Sequence, residues 1–140
     1  MVARSVIVWL GLLALAVANG AVREAFLTPR VGGAAGHGIS TVLLSVGILA
    51  MGWLSIPWIG PQSVQDAWLV GIIWVFLTIA FEFLGGHFLF GRPWNLLMAD
   101  YNILAGRIWV MVLIVSLITP VVAFTRRGGA AAAAPTFIQR

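Results

Sequence analysis

Cysteine is absent from the 140 residues, and this absence excludes disulfide frameworks, thiolate metal sites and thiol nucleophiles. Charge is scarce too, because 9% of the residues are charged, against about one quarter in a typical soluble domain. The eight basic residues are all arginine and lie scattered along the chain, so the basic stripe that nucleic-acid binding requires is missing. The composition therefore excludes a soluble domain and a nucleic-acid partner.

What the chain has in excess is apolar surface. Hydrophobic residues make up 61% of the sequence, and the mean hydropathy is +1.06. A globule of this size leaves a large share of its surface exposed, so it cannot hide that much apolar area from water. We therefore expect an integral membrane protein whose main partner is the lipid bilayer.

Four apolar stretches have the roughly 17–25 residues that a transmembrane helix needs. They cover residues 5–22, 38–56, 67–84 and 103–124. The residues at or just after their C-terminal ends are Arg23, Pro57, Gly85 and Arg126. These stretches predict an all-α fold, a four-helix transmembrane bundle. We expect a single integral membrane domain over residues 1–127 and a flexible C-terminal tail over 128–140.

The first apolar stretch has two interpretations. Residues 1–4 could form the start of a signal peptide, with the small residues 16–18 as its cleavage site. The apolar run continues to Val22, which is long for a signal core and favours a helix retained in the mature protein.

A fifth, shorter helix is expected before the last span. Pro93 is followed by Trp94, Leu97, Met98 and Tyr101, which have helical apolar spacing. This pattern predicts a short amphipathic helix over residues 93–101 that lies in the membrane interface. The segment around it could cover the polar residues described next.

With four spans, the N-terminus, the second loop and the C-terminus lie on one side, side A, and the other two loops lie on side B. The arginines are divided equally: Arg4, Arg126, Arg127 and Arg140 on side A, and Arg23, Arg30, Arg92 and Arg107 on side B. Most carboxylates accompany the side B arginines, which favours an orientation with both termini inside.

The polar residues are distributed unevenly between the two sides. Side B collects the candidate site residues, which are Arg23, Glu24, His37, Glu82, His87, Arg92, Asp100, Tyr101, Asn102 and Arg107, together with Asn19 and Asn95. Glu82 is the central member, because a carboxylate inside a span is costly and usually has a function. The alternative is a structural role, in which Glu82 forms a salt bridge to Arg23 or Arg107 that fixes the helices.

Helical periodicity predicts which way Glu82 points. It shares a face of the third span with Gly71, Val75, Thr78 and Gly85, whereas the neighbouring phenylalanines lie elsewhere. The second span carries a similar stripe, made of His37, Thr41, Ser45, Ile48, Gly52 and Ser55. Small and polar residues favour close helix contacts, so we expect the two stripes to pack together with Glu82 facing inward.

A metal site is only weakly indicated. His37, His87, Glu82 and Asp100 are possible nitrogen and oxygen ligands, but no two of them have the spacing of a metal-binding pair on one helix. We predict no cofactor. Acid–base chemistry at Glu82 or Asp100 is conceivable, although no nucleophile has a base placed beside it, so the sequence leans away from an enzyme.

Five motifs give the chain a resemblance. They are NGAVRE (19–24), FEFLGGH (81–87), GRPW (91–94), ADYN (99–102) and GRIW (106–109). Together they resemble those of a group of uncharacterised small bacterial four-helix proteins of the inner membrane. The resemblance covers the chain except its tail and implies the same location, but no activity and no catalytic residue.

Three functional hypotheses follow from the sequence. The first is a structural or accessory subunit of a membrane complex, in which the side B polar network fixes the helices. The second is a small transporter or channel, made of several copies, that uses Glu82 as its proton or cation site. The third is a membrane enzyme with its site at the same face.

Overall fold

The computed structural model describes residues 1–99 and 109–132. It contains five helices, α1 (Val2–Val31), α2 (Gly33–Ile59), α3 (Val64–Leu89), α4 (Trp94–Ala99) and α5 (Trp109–Ala132). Within these residues there is no strand. The predicted all-α architecture is therefore confirmed, with four long helices and one short helix before the last.

The four long helices are long and apolar enough to span a membrane. In the most apolar window of each helix, only 17% to 39% of the residues are buried inside the chain. Large apolar side chains such as Leu54 and Phe76 are mostly exposed. Such a surface is stable in lipid, where no free energy is gained by hiding it.

The first helix is longer than predicted, because it does not end at Arg23. It continues through a π-helical turn, Arg23–Leu27, into one more α-helical turn that ends at Val31. In the wider turn the backbone N–H of Thr28 donates to the carbonyl of Arg23, five residues earlier. Proline in a regular helix clashes with the preceding turn, and the wider turn stands directly before Pro29.

The second helix also extends beyond its predicted end at Pro57. It runs to Ile59 and is closed by Gly60, whose φ of 73° is left-handed. Proline removes one backbone hydrogen bond, and so close to the C-terminus the helix tolerates this loss. The residue that ends it is the glycine, which adopts the left-handed conformation without steric cost.

The last two long helices differ from the prediction at their ends as well. The third begins after Ser63, whose Oγ accepts from the Asp66 N–H at 3.1 Å, and it passes through Gly85 and Gly86. The last helix passes through Arg126 and includes the first residues of the predicted tail, up to Ala132. Arginines at a span end can extend towards the interface and need not end the helix.

Among the described residues, the long helices form a four-cornered bundle. Helices α1 and α5 occupy opposite corners, and each packs against both α2 and α3. Consecutive helices α2 and α3 are the other diagonal pair and touch each other little. The prediction that their small-residue stripes pack together is therefore wrong.

In the middle of the bundle, two glycines of these stripes lie against α5 instead. Trp74 of α3 is fully buried there, and its ring lies beside Gly52 of α2. A Cβ atom at Gly71 would overlap the Leu117 carbonyl of α5, and one at Gly52 would overlap the Thr119 side chain of the same helix. Both glycines thus permit close approach to α5.

Two tryptophans hold α1 against α3. Trp74 Nε1 donates to the carbonyl of Ser5 at 3.1 Å, and Trp9 Nε1 donates to Thr78 Oγ1, also at 3.1 Å. Thr78 Oγ1 in turn donates to the Trp74 carbonyl at 2.7 Å. Indole donors inside a membrane need such partners because water cannot supply them.

The close approach of α3 to α5 makes a stability prediction. We expect Gly71→Ala to lower the free energy of unfolding by about 1–3 kcal/mol, because the new methyl group forces the two backbones apart. Thermal or denaturant unfolding in detergent, followed by tryptophan fluorescence, measures this change.

Gly20→Ala is the matched control, since it is also inside a helix and has no atom within 4 Å of a new Cβ. It should leave stability unchanged or raise it by up to about 1 kcal/mol through helix propensity. Equal stability of the two variants would contradict the close packing of α3 on α5.

Candidate cavity at the B end of the bundle

A cavity of about 400 Å³ lies between the helices at their side B ends. We name it the B-end cavity. Its described lining is Leu13, Ala16, Val17, Asn19, Gly20, Arg23, His37, Ser40, Thr41, Leu44, Phe81, Glu82, Arg92 and Trp109. These residues come from α1, α2, α3, the loop before α4 and the start of α5, so the cavity occupies the bundle interior.

The cavity is elongated and changes character along its length. On α1 its lining extends from Leu13 to Arg23, which is about 15 Å along the helix axis. The four residues that can carry charge, Arg23, His37, Glu82 and Arg92, lie towards side B, and aliphatic residues line the deeper part. A molecule that fits this shape has a polar end and a less polar body.

Arg23 contacts one residue of the cavity lining and one residue outside it. Its Nη1 lies 3.4 Å from Nδ1 of His37, and its Nε donates to Glu24 Oε1 at 3.0 Å. The Glu24 side chain is 68% exposed and does not line the cavity, whereas that of Arg23 is 29% exposed. An ion pair with one exposed partner contributes little to stability, and of the two contacts only the one to His37 lies within the cavity lining.

A polar contact between two helices lies just below this region. Asn19 Nδ2 of α1 donates to both the carbonyl and the hydroxyl of Ser40 on α2, at 3.1 and 2.6 Å. Ser40 is buried, so its carbonyl and hydroxyl gain partners that lipid cannot offer. This pair fixes the register of α1 against α2 beside the cavity.

Glu82 is half-buried on α3. It lies 18 residues after Val64, the start of the helix, which is about 27 Å along the axis. The hydrocarbon of a bilayer is about 30 Å thick, so Glu82 lies near its side B edge. The same residue also lines two adjoining cavities, of about 410 and 40 Å³. Glu82 therefore lines cavities between the helices, and its role there stays a prediction.

Glu82 belongs to a second π-helical segment, Phe81–Leu89. Well under 1% of residues in proteins are π-helical, and such turns are frequent at functional sites. The wider turn changes the direction of every side chain after Phe81, so the regular helical spacing used in the sequence does not extend to Gly85. That glycine lies against the ring of Phe81.

Short helix α4 packs on this π-helical segment. Leu97 of α4 is buried, and a Cβ atom at Gly86 would approach its Cδ2 within 2.7 Å. The predicted helix over residues 93–101 is therefore present as Trp94–Ala99, and its last two positions lie outside the described residues. Glycine at position 86 allows α4 to lie across the end of α3.

An apolar core lies beneath the B-end cavity. It includes Val8, Leu12, Ile48, Trp74 and Val112, all of them buried. A small cavity of about 40 Å³ adjoins the B-end cavity and extends to Leu12, Ile48 and Val112. The lining of the bundle interior therefore becomes mostly apolar away from side B.

His87 does not line this cavity. Its Nδ1 donates to the carbonyl of Arg92 at 2.9 Å, and its ring stacks on Trp94 with 3.9 Å between centroids. Because a carbonyl only accepts, Nδ1 carries the proton in this arrangement. His87 thus stabilises the turn that brings Arg92 to the cavity.

The predicted polar group is divided in the structure. Arg23, His37, Glu82 and Arg92 share the B-end cavity, whereas Glu24 and His87 lie outside it. The remaining candidates are Asp100, Tyr101, Asn102 and Arg107, and they lie outside the described residues. Among residues 1–99 and 109–132, no three histidine or carboxylate side chains come together as a metal site would require.

Two cavity residues had no assigned role in the sequence. Asn19 was visible as an amide at the end of an apolar stretch, but periodicity alone does not reveal its bond to Ser40.

Trp109 lines both the B-end cavity and the smaller one beneath it. Its Nε1 is buried and has no hydrogen-bond acceptor in the described part of the chain. A tryptophan near a span end is usually an interface anchor, so the sequence alone did not indicate that Trp109 lines a cavity.

No protein-family profile, curated protein or solved structure matches this chain. The resemblance to small bacterial inner-membrane proteins therefore remains an expectation from the five motifs.

The amide contact beside the cavity makes a second prediction. Asn19→Ala should lower the free energy of unfolding by about 1–3 kcal/mol, because it leaves the buried carbonyl and hydroxyl of Ser40 without their donor. Ser40→Ala should cost less, since the carbonyl of residue 40 remains available to Asn19. Unfolding in detergent measures both values, and an equal or larger loss for Ser40→Ala would contradict the double contact.

Proposed function

We propose that this chain is a small integral membrane protein that binds a polar or charged solute in the B-end cavity. Glu82 is the proton- or cation-binding group, and the protein acts as a transporter made of several copies. The observation that supports the proposal is the cavity itself, with Glu82, His37, Arg23 and Arg92 among its lining residues. Its volume of about 400 Å³ falls within the range of small-molecule sites, roughly 300–1,000 Å³.

The composition of the lining favours a ligand over simple helix packing. Ligand sites combine mostly apolar walls with a few convergent polar groups, and the B-end cavity has Leu13, Leu44 and Phe81 beside its charged residues. A network that served packing alone would fill this space with side chains, since protein interiors are close-packed. The buried Nε1 of Trp109, which has no acceptor in the described structure, also borders the cavity.

The apolar core beneath the cavity favours a carrier over an open channel. An ion that moves inward from the B-end cavity meets buried aliphatic side chains such as Val8, Ile48 and Val112, which offer no polar group to replace its water. Transport then requires a change of conformation, and four short helices need further copies to enclose a pathway. The π-helical turns of Phe81–Leu89 are a natural place for that change, because a return to α-helical turns would rotate the residues that follow.

We further propose that the protein resides in a bacterial inner membrane with both termini inside. The side A ends carry Arg4, Arg126 and Arg127 against the single carboxylate Asp66. Positive residues near span ends favour the cytoplasmic side. The bacterial location rests on the motif resemblance.

A structural or accessory subunit is the second candidate. The contacts that favour it are the polar bonds between helices, from Asn19 to Ser40, Trp9 to Thr78 and Trp74 to Ser5. An enzyme is the third and has less support. The hydroxyls of Thr41 and Ser45 donate to carbonyls four residues earlier, as in ordinary membrane helices.

Flux measurements test the transporter proposal. Purified protein is reconstituted in phosphatidylcholine vesicles that contain a pH-sensitive dye, and proton movement is followed after a pH step in sodium or potassium buffer. We expect the wild-type protein to raise the flux above that of empty vesicles. Glu82→Gln should return it to the empty-vesicle rate, because the amide keeps the size of the side chain but cannot bind and release a proton.

Glu24→Gln is the matched control, since it removes the same charge at the same end of the bundle from a side chain outside the cavity. It should keep wild-type flux. If both variants keep wild-type flux, or if the wild-type protein has none, the transporter proposal fails. A lower unfolding temperature for Glu82→Gln with unchanged flux would favour the accessory subunit instead.

A further inference from the structure

A second cavity, of about 360 Å³, lies at the opposite end of the bundle. It lies between the C-terminal ends of α2 and α5, and we name it the A-end cavity. Its walls include Ile56, Pro57 and Phe124, and the side chain of Arg127 also lines it. A mostly apolar pocket with one cationic group differs from the B-end cavity in both place and chemistry.

Arg127 packs against an aromatic ring and has a buried donor without an acceptor among the described residues. The centre of its guanidinium group lies 5.1 Å from the ring centroid of Trp53, so the indole covers one side of the cation. Its Nε is buried and has no hydrogen-bond acceptor among the described residues. Buried donors are nearly always satisfied in proteins, which points to an acceptor supplied from outside the chain.

The surrounding charges do not supply that acceptor. Among the described side A residues the single carboxylate is Asp66, and its Oδ2 accepts from the backbone N–H of Gln62 at 2.8 Å. Arg4 donates to the carbonyl of Trp58 at 2.8 Å. Neighbouring Arg126 is exposed. The A end thus has an excess of positive charge and attracts anions.

We propose that the A-end cavity binds the phosphate group of an anionic phospholipid, with Arg127 as the principal ligand. The guanidinium group of an arginine matches a phosphate with two parallel hydrogen bonds. The apolar walls formed by Ile56, Pro57 and Phe124 accept the glycerol and the first methylene groups of the lipid. Basic pockets between membrane helices recognise acidic headgroups in this way.

The adjacent arginines provide the test. Protein in neutral detergent is titrated with phosphatidylglycerol, and binding is followed by the unfolding temperature, with phosphatidylcholine as the neutral lipid. We expect phosphatidylglycerol to stabilise the wild-type protein more than phosphatidylcholine does. Arg127→Gln should weaken the apparent affinity for phosphatidylglycerol roughly tenfold, as expected for the loss of charge-assisted hydrogen bonds, whereas Arg126→Gln should change it little.

A second variant tests the site independently, in case Arg127→Gln does not fold. Gly128 lines the A-end cavity, and a Cβ there meets no atom within 4 Å. Gly128→Leu keeps every arginine and fills the space, so it should reduce the preference for phosphatidylglycerol without loss of charge. An equal effect of Arg126→Gln and Arg127→Gln, or full binding by Gly128→Leu, would overturn the proposal.

Two further titrations identify the source of the phosphate. Inorganic phosphate and glycerol 3-phosphate carry the same anion without acyl chains, and we expect neither to stabilise the protein at millimolar concentration. If either one gives the full stabilisation, dependent on Arg127, the lipid part of the proposal is wrong and the site takes soluble phosphates.

Discussion

The structure depends on one constraint: inside hydrocarbon, a polar group without a partner in the protein costs several kcal/mol. The hydroxyls of Thr41, Ser45, Ser116 and Thr119 meet it by donating to carbonyls four residues earlier on their own helices. Asn19 and the two central tryptophans meet it across helices. These bonds leave a bundle whose outside is apolar and whose interior contacts are fixed in register.

The same constraint explains why the charged residues lie at the ends of the bundle. A carboxylate needs several donors and a guanidinium needs several acceptors, so a single main-chain group satisfies neither, and Glu82 and Arg23 lie near the end of the bundle. Below them lies the apolar core around Trp74. In the transporter that we propose, the B-end cavity is the binding site and this core is the barrier, and the π-helical segment Phe81–Leu89 begins beside the cavity.

Hydropathy was sufficient to predict the four spans. Helical spacing put Glu82 on a face that lines cavities between the helices, although that face does not pack on α2 as predicted. The helix ends were not predictable in the same way, since Pro57 and Arg23 are compatible with a continued helix when the next turn can adjust. Nor could the sequence predict that α2 and α3 are diagonal. That arrangement depends on the volume of Trp74 and on the fit of Gly71 to α5, which are properties of the packed bundle.

The central claim is that water enters the B-end cavity from side B and does not pass the apolar core beneath it. Because the chain has no cysteine, a single introduced thiol can be mapped with a membrane-impermeant maleimide added to either side of oriented vesicles. Ala16 lines the cavity and Val8 belongs to the core beneath it. The account predicts that Ala16→Cys reacts from side B alone and that Val8→Cys does not react. Reaction of Ala16→Cys from side A, or rapid labelling of Val8→Cys, would contradict it.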